Sequence, residues 1–216
     1  MRQYKLIIFD WDGTLIDSIG RIVSSMQSAA RDSGLAIPSE PETKAIIGLS
    51  LPEAVEALYP GRTTEQEVRL IAQYRKYYID LDPTPTPMFA YARELLSGLR
   101  ADNRMLAVAT GKGRSGLERV WQDTQTKDYF HSSRCGDEHV SKPAPDMLNS
   151  LLDEMAVTPQ ESIMIGDSSL DLAMANNAGI DSIGVSHGVH DAQTLARHSP
   201  KAIVDSLEDL YRLIVR

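Results

Sequence analysis

Leu6-Ile7-Ile8-Phe9-Asp10-Trp11-Asp12-Gly13-Thr14 is the stretch on which the fold turns. Four consecutive apolar residues without alternation suit a short strand covered on both faces, and the run stops at two acids and a glycine. The same pattern recurs downstream. Residues 105–109 run into Thr110-Gly111-Lys112-Gly113, and residues 162–165 run into Gly166-Asp167-Ser168-Ser169-Leu170-Asp171. Residues 180–185 form a fourth apolar run and residues 201–204 a weaker fifth, followed by a helix from Ser206. Amphipathic stretches separate these runs. Strands alternating with helices predict an α/β fold, a Rossmann-like parallel sheet flanked by helices.

The alternation breaks between residues 16 and 84, where only helical signals appear. Residues 16–33 read as one long helix stopped near Gly34. Ser50-Leu51-Pro52-Glu53 and Thr64-Glu65-Gln66-Glu67 read as capping boxes, the second opening a helix to about Asp80. The alternate prolines of Asp82-Pro83-Thr84-Pro85-Thr86-Pro87 then make a stiff, extended connector. The expected organisation is a core of residues 1–15 and 85–216 with an all-helical cap, residues 16–84, inserted after the first strand.

Composition narrows the function. The chain has 216 residues, and a chain of that size buries roughly 70% of its unfolded surface, enough to fold without disulfides or structural metal. Cys135 is its single cysteine, which suits a reducing, cytoplasmic compartment. The net charge of -8 argues against nucleic acid as a partner. It does not exclude a small anionic substrate, which responds to the local field of its pocket. Apolar stretches fall far short of the roughly 20 residues that span a membrane, and the N-terminal run is too short, and too soon acidic, for a signal peptide. Oligomeric state is not written in the sequence.

Ligands of open parallel sheets bind at the carboxyl ends of the strands. Three such ends here supply acids or a hydroxyl flanked by glycine, and Ser141-Lys142-Pro143-Ala144-Pro145 adds an ammonium on a proline-stiffened turn. Asp10, Asp12, Asp167 and Asp171 would crowd one crevice. Like charges about 4 Å apart repel by roughly 4 kcal/mol at a surface-like dielectric, so the group calls for a cation. Hard carboxylate oxygens without His or Cys suit Mg²⁺ and not zinc. Asp10 and Asp12 stand two apart and leave an extended segment on the same face, so one can attack phosphorus while the other manages protons. Thr110, Gly111 and Lys142 would hold the phosphoryl oxygens. Asp167 would complete the metal shell. Asp171, one helical turn on, would hold a metal-bound water or orient Lys142.

Asp10-Trp11-Asp12-Gly13-Thr14-Leu15, Thr110, Lys142 and Gly166-Asp167-Ser168-Ser169-Leu170-Asp171 resemble, in order and spacing, the four motifs of the haloacid dehalogenase-like superfamily. The helical insert after the first motif resembles the members with a small helical cap, nearest the phosphoglycolate phosphatase-like branch. The resemblance implies Asp10 as nucleophile, Asp12 as acid/base with its backbone carbonyl on Mg²⁺, and hydrolysis of a small phosphorylated metabolite. Trp11 departs from the usual phenylalanine, and its side chain is expected to point away from the two carboxylates. A phosphomutase or pyrophosphatase on the same scaffold, or a phosphate-sensing receiver-like protein, are the alternative readings. Gly111-Lys112-Gly113 is not a P-loop, and Lys112 and Arg114 are expected to be solvated. Arg75 and Lys76 are likewise read as a solvated helix face, and His187 and His190 as surface residues.

Overall fold

The structure, a computed structural model, describes residues 4–214. Its elements, in order, begin with β1 (Leu6–Phe9). The insert follows: α1 (Ile19–Asp32), α2 (Glu40–Ala45), α3 (Leu51–Leu58) and α4 (Thr64–Lys76), which continues into a π-helical turn over Tyr77–Leu81. Then come α5 (Ala92–Ala101), β2 (Met105–Thr110), α6 (Arg114–Thr124), β3 (Ser132–Cys135), α7 (Asp146–Met155), β4 (Ser162–Gly166) and α8 (Ser169–Asn177). The chain finishes with β5 (Asp181–Val185), α9 (Ala192–Ala196), β6 (Ala202–Val204) and α10 (Leu207–Ile214). All pairings are parallel and the strand order is β3-β2-β1-β4-β5-β6. This is the doubly wound order, whose switch point lies beside β1.

Alternation along β1 builds two apolar layers. Ile7 and Phe9 face one side, against Leu95 and Leu96 of α5, Leu117 and Trp121 of α6, and Leu210 of α10. Leu6 and Ile8 face the other, against Leu148 and Leu151 of α7 and Met174 of α8. Both faces are covered, which is why the strand carries no polar residue. Trp11 continues the first face beyond the strand, stacking edge-on against Trp121 and Phe130 at 6.4 and 6.0 Å between centroids. The two acids beside it are thereby turned the other way, as its expected orientation required.

β3 is the strand that the apolar-run criterion missed. Its sequence, Ser132-Ser133-Arg134-Cys135, buries only Ser133 and Cys135. At a sheet edge, half-polar alternation is sufficient.

The insert has its own small core of Met26, Ala29, Ala30, Val55 and Leu70. Several local expectations shift within it. Residue 16 bridges to Asp12 and Met88 instead of joining α1. Thr63, not Thr64, caps α4, in a box with Gln66. Ser39 forms a capping box with Glu42 that opens α2, a Ser-x-x-Glu signal that was present but not read. Ser50 does stand at the start of α3 but makes no side-chain cap. Its backbone N–H instead donates to Ser141 Oγ at 2.8 Å, so a tertiary partner replaces the local one. The two connecting strands of the insert run together: Asp17 N–H donates to the Pro87 carbonyl and Phe89 N–H to the Leu15 carbonyl.

The Trp11 indole N–H is buried without a hydrogen-bond partner among the described residues. Trp11→Ala is expected to lose about 3–5 kcal/mol of unfolding free energy in urea titrations. Trp11→Phe is expected to lose clearly less, because removing an unsatisfied donor returns part of the contact energy.

Candidate active site

Register places the site. Phe9 is level with Val108 of β2 and Ile165 of β4. Asp10, Thr110 and Asp167 therefore leave three adjacent strands within one residue of each other. All three are buried, as are Lys142 and Asp171.

Asp10, Asp167 and Asp171 present carboxylate oxygens within 4.8 Å of one another. Lys142 stands between two of them, its Nζ 2.6 Å from Asp10 Oδ1 and 2.6 Å from Asp171 Oδ1. Among the described residues, Asp10 Oδ2 accepts no hydrogen bond. Asp167 is fixed at both oxygens, by Thr14 Oγ1 (2.7 Å) and by the Val189 N–H (2.7 Å). Asp171 Oδ2 accepts from the N–H and Oγ of Ser168 in the capping box of α8. Asp171 thus caps the helix and orients Lys142 at once. Asp171 does not share a helix face with Asp167, because Asp167 precedes the N-cap and lies outside α8. The loop, not an i,i+4 pairing, brings the two acids together.

Gly13 makes this packing possible. It has φ +83°, and a Cβ there would lie 2.3 Å from Asp167 Oδ2. Gly111 has a different constraint: its Cα faces the carbonyl oxygens of Gly48 and Leu49, each 2.4 Å from a built Cβ. Here the insert's backbone packs directly against the core.

Burial disfavours the ionised form of a carboxyl group. It raises Asp10 well above the carboxylate range, reinforced by Asp171 and Asp167 and opposed by Lys142. Burial and the neighbouring Asp171 push Asp167 up to about 7, against the Val189 and Thr14 hydrogen bonds. Burial works against the Lys142 ammonium, but the Asp10 and Asp171 charges outweigh it and hold it above its ordinary value. Three buried acids and one ammonium leave an excess of negative charge. The donor set is all oxygen and closely spaced, and it fits a hard divalent cation.

Asp12 sits apart from this cluster. Its Oδ1 accepts from Ser18 Oγ at 2.6 Å, and its Oδ2 pairs with Lys112 Nζ at 3.0 Å. Its side chain lines, together with Asp10, Thr110 and Gly111, a cavity of about 270 Å³ between the core and the insert. Lys112 was expected to be solvated. It is nearly buried, with its ammonium over the Tyr78 ring at 4.8 Å and near its hydroxyl at 3.4 Å. Burial is the largest influence and opposes its charge, but Asp12 together with Tyr78 and Tyr74 outweighs it and raises its pKa. Arg114 is half-buried and bridges Glu138 and Ser133. His187 and His190 are half-buried and not fully exposed. His187 packs on Phe89 at 4.1 Å between centroids and contacts the Thr14 carbonyl, and His190 Nδ1 accepts from the Ser169 N–H. Both brace the loops that carry Thr14 and Asp167. Arg75 and Lys76 are exposed as expected, with Arg75 at the cavity rim. Ser18, Lys112 and Tyr78 are the participants that sequence reasoning missed. None belongs to a motif, and only their convergence in space marks them.

A parallel sheet that presents paired acids, a threonine and a buried lysine at its carboxyl edge, with helices inserted after its first strand, defines a class of α/β hydrolases. The sequence profile of the haloacid dehalogenase-like hydrolases matches residues 7–185, and the chain belongs to that family. It is 29% identical over 222 residues to a phosphoglycolate phosphatase of Vibrio vulnificus, covering 99% of this chain and 97% of that one. It is 30% identical over 209 residues to the candidate phosphatase IndB of Dickeya dadantii, covering 95% and 91%. Its fold matches the crystal structure of a candidate haloacid dehalogenase-like hydrolase from Bacteroides fragilis with a TM-score of 0.88 and 25% identity, over 96% of this chain and all of that one. No helix among the described residues is long and apolar enough to cross a membrane.

The raised Asp167 pKa has a consequence for stability. Between about pH 4, where an unfolded aspartate titrates, and about pH 7, Asp167 holds its proton more fully in the folded chain than in the unfolded one. Its contribution to the stability of the metal-free protein is therefore expected to fall as pH rises through that window. The urea midpoint of the intact protein relative to Asp167→Asn, measured from pH 4 to 8 in chelator, should decline. A divalent cation should restore the midpoint most strongly at pH 7 and above, where the carboxylates are free to ligate.

Proposed function

We propose that the chain is a Mg²⁺-dependent phosphatase that hydrolyses a small phosphate monoester, a phosphoglycolate-like metabolite, through an aspartyl-phosphate on Asp10. The observation that carries this reading is the asymmetry of Asp10. One oxygen is held by Lys142, and the other has no partner among the described residues on a side chain that lines the cavity. A carboxylate positioned in this way is a competent nucleophile.

In this mechanism Asp10 Oδ2 attacks phosphorus. The ester oxygen departs as an alkoxide and takes a proton from Asp12. Asp12 then accepts a proton from a water that attacks the phosphorus and frees Asp10. The hydroxyl and backbone of Thr110 and Gly111, with the Lys142 ammonium, hold the phosphoryl oxygens. Mg²⁺ held by Asp10, Asp167 and the Asp12 backbone carbonyl would offset the crowded negative charge and polarise the phosphoryl group. Ser18 and Lys112 fix the orientation of Asp12. The inserted helices, residues 16–84, serve as a cap that shields the cavity from water over a core of residues 1–15 and 85–216. A cytoplasmic setting and a partner that is a small metabolite and not nucleic acid accord with the single buried cysteine and the net charge of -8.

Release of phosphate from p-nitrophenyl phosphate tests the reading. Turnover is expected with Mg²⁺, and chelation is expected to abolish it. Asp10→Asn should reduce it to background, and Asp12→Asn should lower kcat by about 10²–10⁴-fold. Full activity of Asp10→Asn would overturn the nucleophile assignment.

A further inference from the structure

Among the described residues, one half-buried cation of the cavity has no anionic partner. It is Arg119, on α6. Among the described residues, its Nε is buried without a hydrogen-bond partner and its guanidinium forms no salt bridge. Its guanidinium carbon stands 5.5 Å from the centroid of the Tyr78 ring. Of the other half-buried arginines, Arg62, Arg114 and Arg134 are each matched to a glutamate, whereas Arg21 and Arg104 donate to the Thr84 and Tyr4 carbonyls. Lys112, the neighbouring cation, is already taken by Asp12. Withdrawing a guanidinium from water is costly unless an anion or a hydrogen-bond acceptor replaces the lost hydration. The face of Tyr78 compensates the charge in part, but it cannot use the planar fork of N–H donors, which fits a carboxylate or phosphate with two parallel hydrogen bonds.

The surroundings of Arg119 describe the rest of such a ligand. Ile47, Leu49, Tyr74 and Tyr78 line the same cavity, so much of its wall is apolar and aromatic. A two-carbon leaving group would leave most of the 270 Å³ unused. We infer that Arg119 is a specificity-determining residue that receives a second anionic group at the far end of the substrate's leaving group, and that the body between the two anions is apolar or aromatic. This rests on the reading of Asp10, Thr110 and Lys142 as the phosphoryl end, and it deepens that reading by naming a substrate class.

Non-hydrolysable phosphonates separate this inference from the hydrolysis itself. Calorimetry gives dissociation constants for 4-ethylphenylphosphonate, 4-(carboxymethyl)phenylphosphonate and 4-(phosphonomethyl)phenylphosphonate in the presence of Mg²⁺. The intact protein is expected to bind at least one of the two doubly anionic ligands about tenfold or more tightly than the ethyl ligand. The larger preference identifies the second anion as carboxylate or phosphate. In Arg119→Gln that preference is expected to collapse to within about twofold of unity. Arg119→Lys, which keeps the charge but loses the fork, should retain an intermediate preference, and it stands in if the Gln variant does not fold. A strut that merely packs on Tyr78 would weaken all three ligands alike and leave the ratio intact. No preference in the intact protein, or an unchanged ratio in the variants, overturns the inference. Absence of phosphate release in the turnover assay with the ratio preserved would sink the hydrolysis reading alone.

Discussion

The structure is organised around an ammonium held between two buried carboxylates. Lys142 Nζ lies 2.6 Å from both Asp10 and Asp171, with Asp167 close by. Placing acids this close inside a protein raises their pKa values, and removing one partner of such a group costs several kcal/mol. The surrounding residues are arranged to limit that cost. Thr14 and Val189 satisfy Asp167, and Ser168 satisfies Asp171. Asp10 is the member left with an oxygen unsatisfied by protein, which gives the cluster its chemical direction.

This cluster depends on the sheet. Three strands in level register deliver Asp10, Thr110 and Asp167 to one edge, and the two apolar layers hold that register by burying both faces of β1. The insert is joined to the same edge by contacts that touch catalytic loops directly. Ser50 bonds Ser141, next to Lys142, and the Gly48 and Leu49 carbonyls lie against Gly111. Tyr78, from the π-helical end of α4, reaches Lys112 and Arg119 of the core. Any movement of the insert is therefore felt at Lys112 and, through it, at Asp12.

The cavity between the two parts divides into ends of different character. At one end are carboxylates, a threonine hydroxyl and an ammonium neutralised by its neighbours. At the other, Tyr78 stands among apolar groups with three cations over its ring: Lys112, paired with Asp12, and Arg21 and Arg119, which form no salt bridge among the described residues. The first end is built from strand termini, whereas the second draws on side chains from both sides of the interface.

The sequence alone determined the α/β alternation, the helical insert, and the identity and order of the acids, the threonine and the lysine. Those features are local: a continuous apolar run, a capping residue, or a motif at a strand end is written in neighbouring residues. It did not reveal β3, whose edge position asks only for Ser133 and Cys135 to be buried. Nor did it show that Ser50 would bond Ser141 instead of capping α3, that Lys112 would be buried against Asp12, or that His187 and His190 would brace the site. Only the tertiary structure decided these, because each depends on which partner arrives from a distant part of the chain. Asp10 and Lys142 stand 132 residues apart, and Thr14 and Asp167 stand 153 apart. A charge is buried or solvated according to the neighbours that fold against it, and no local pattern specifies them.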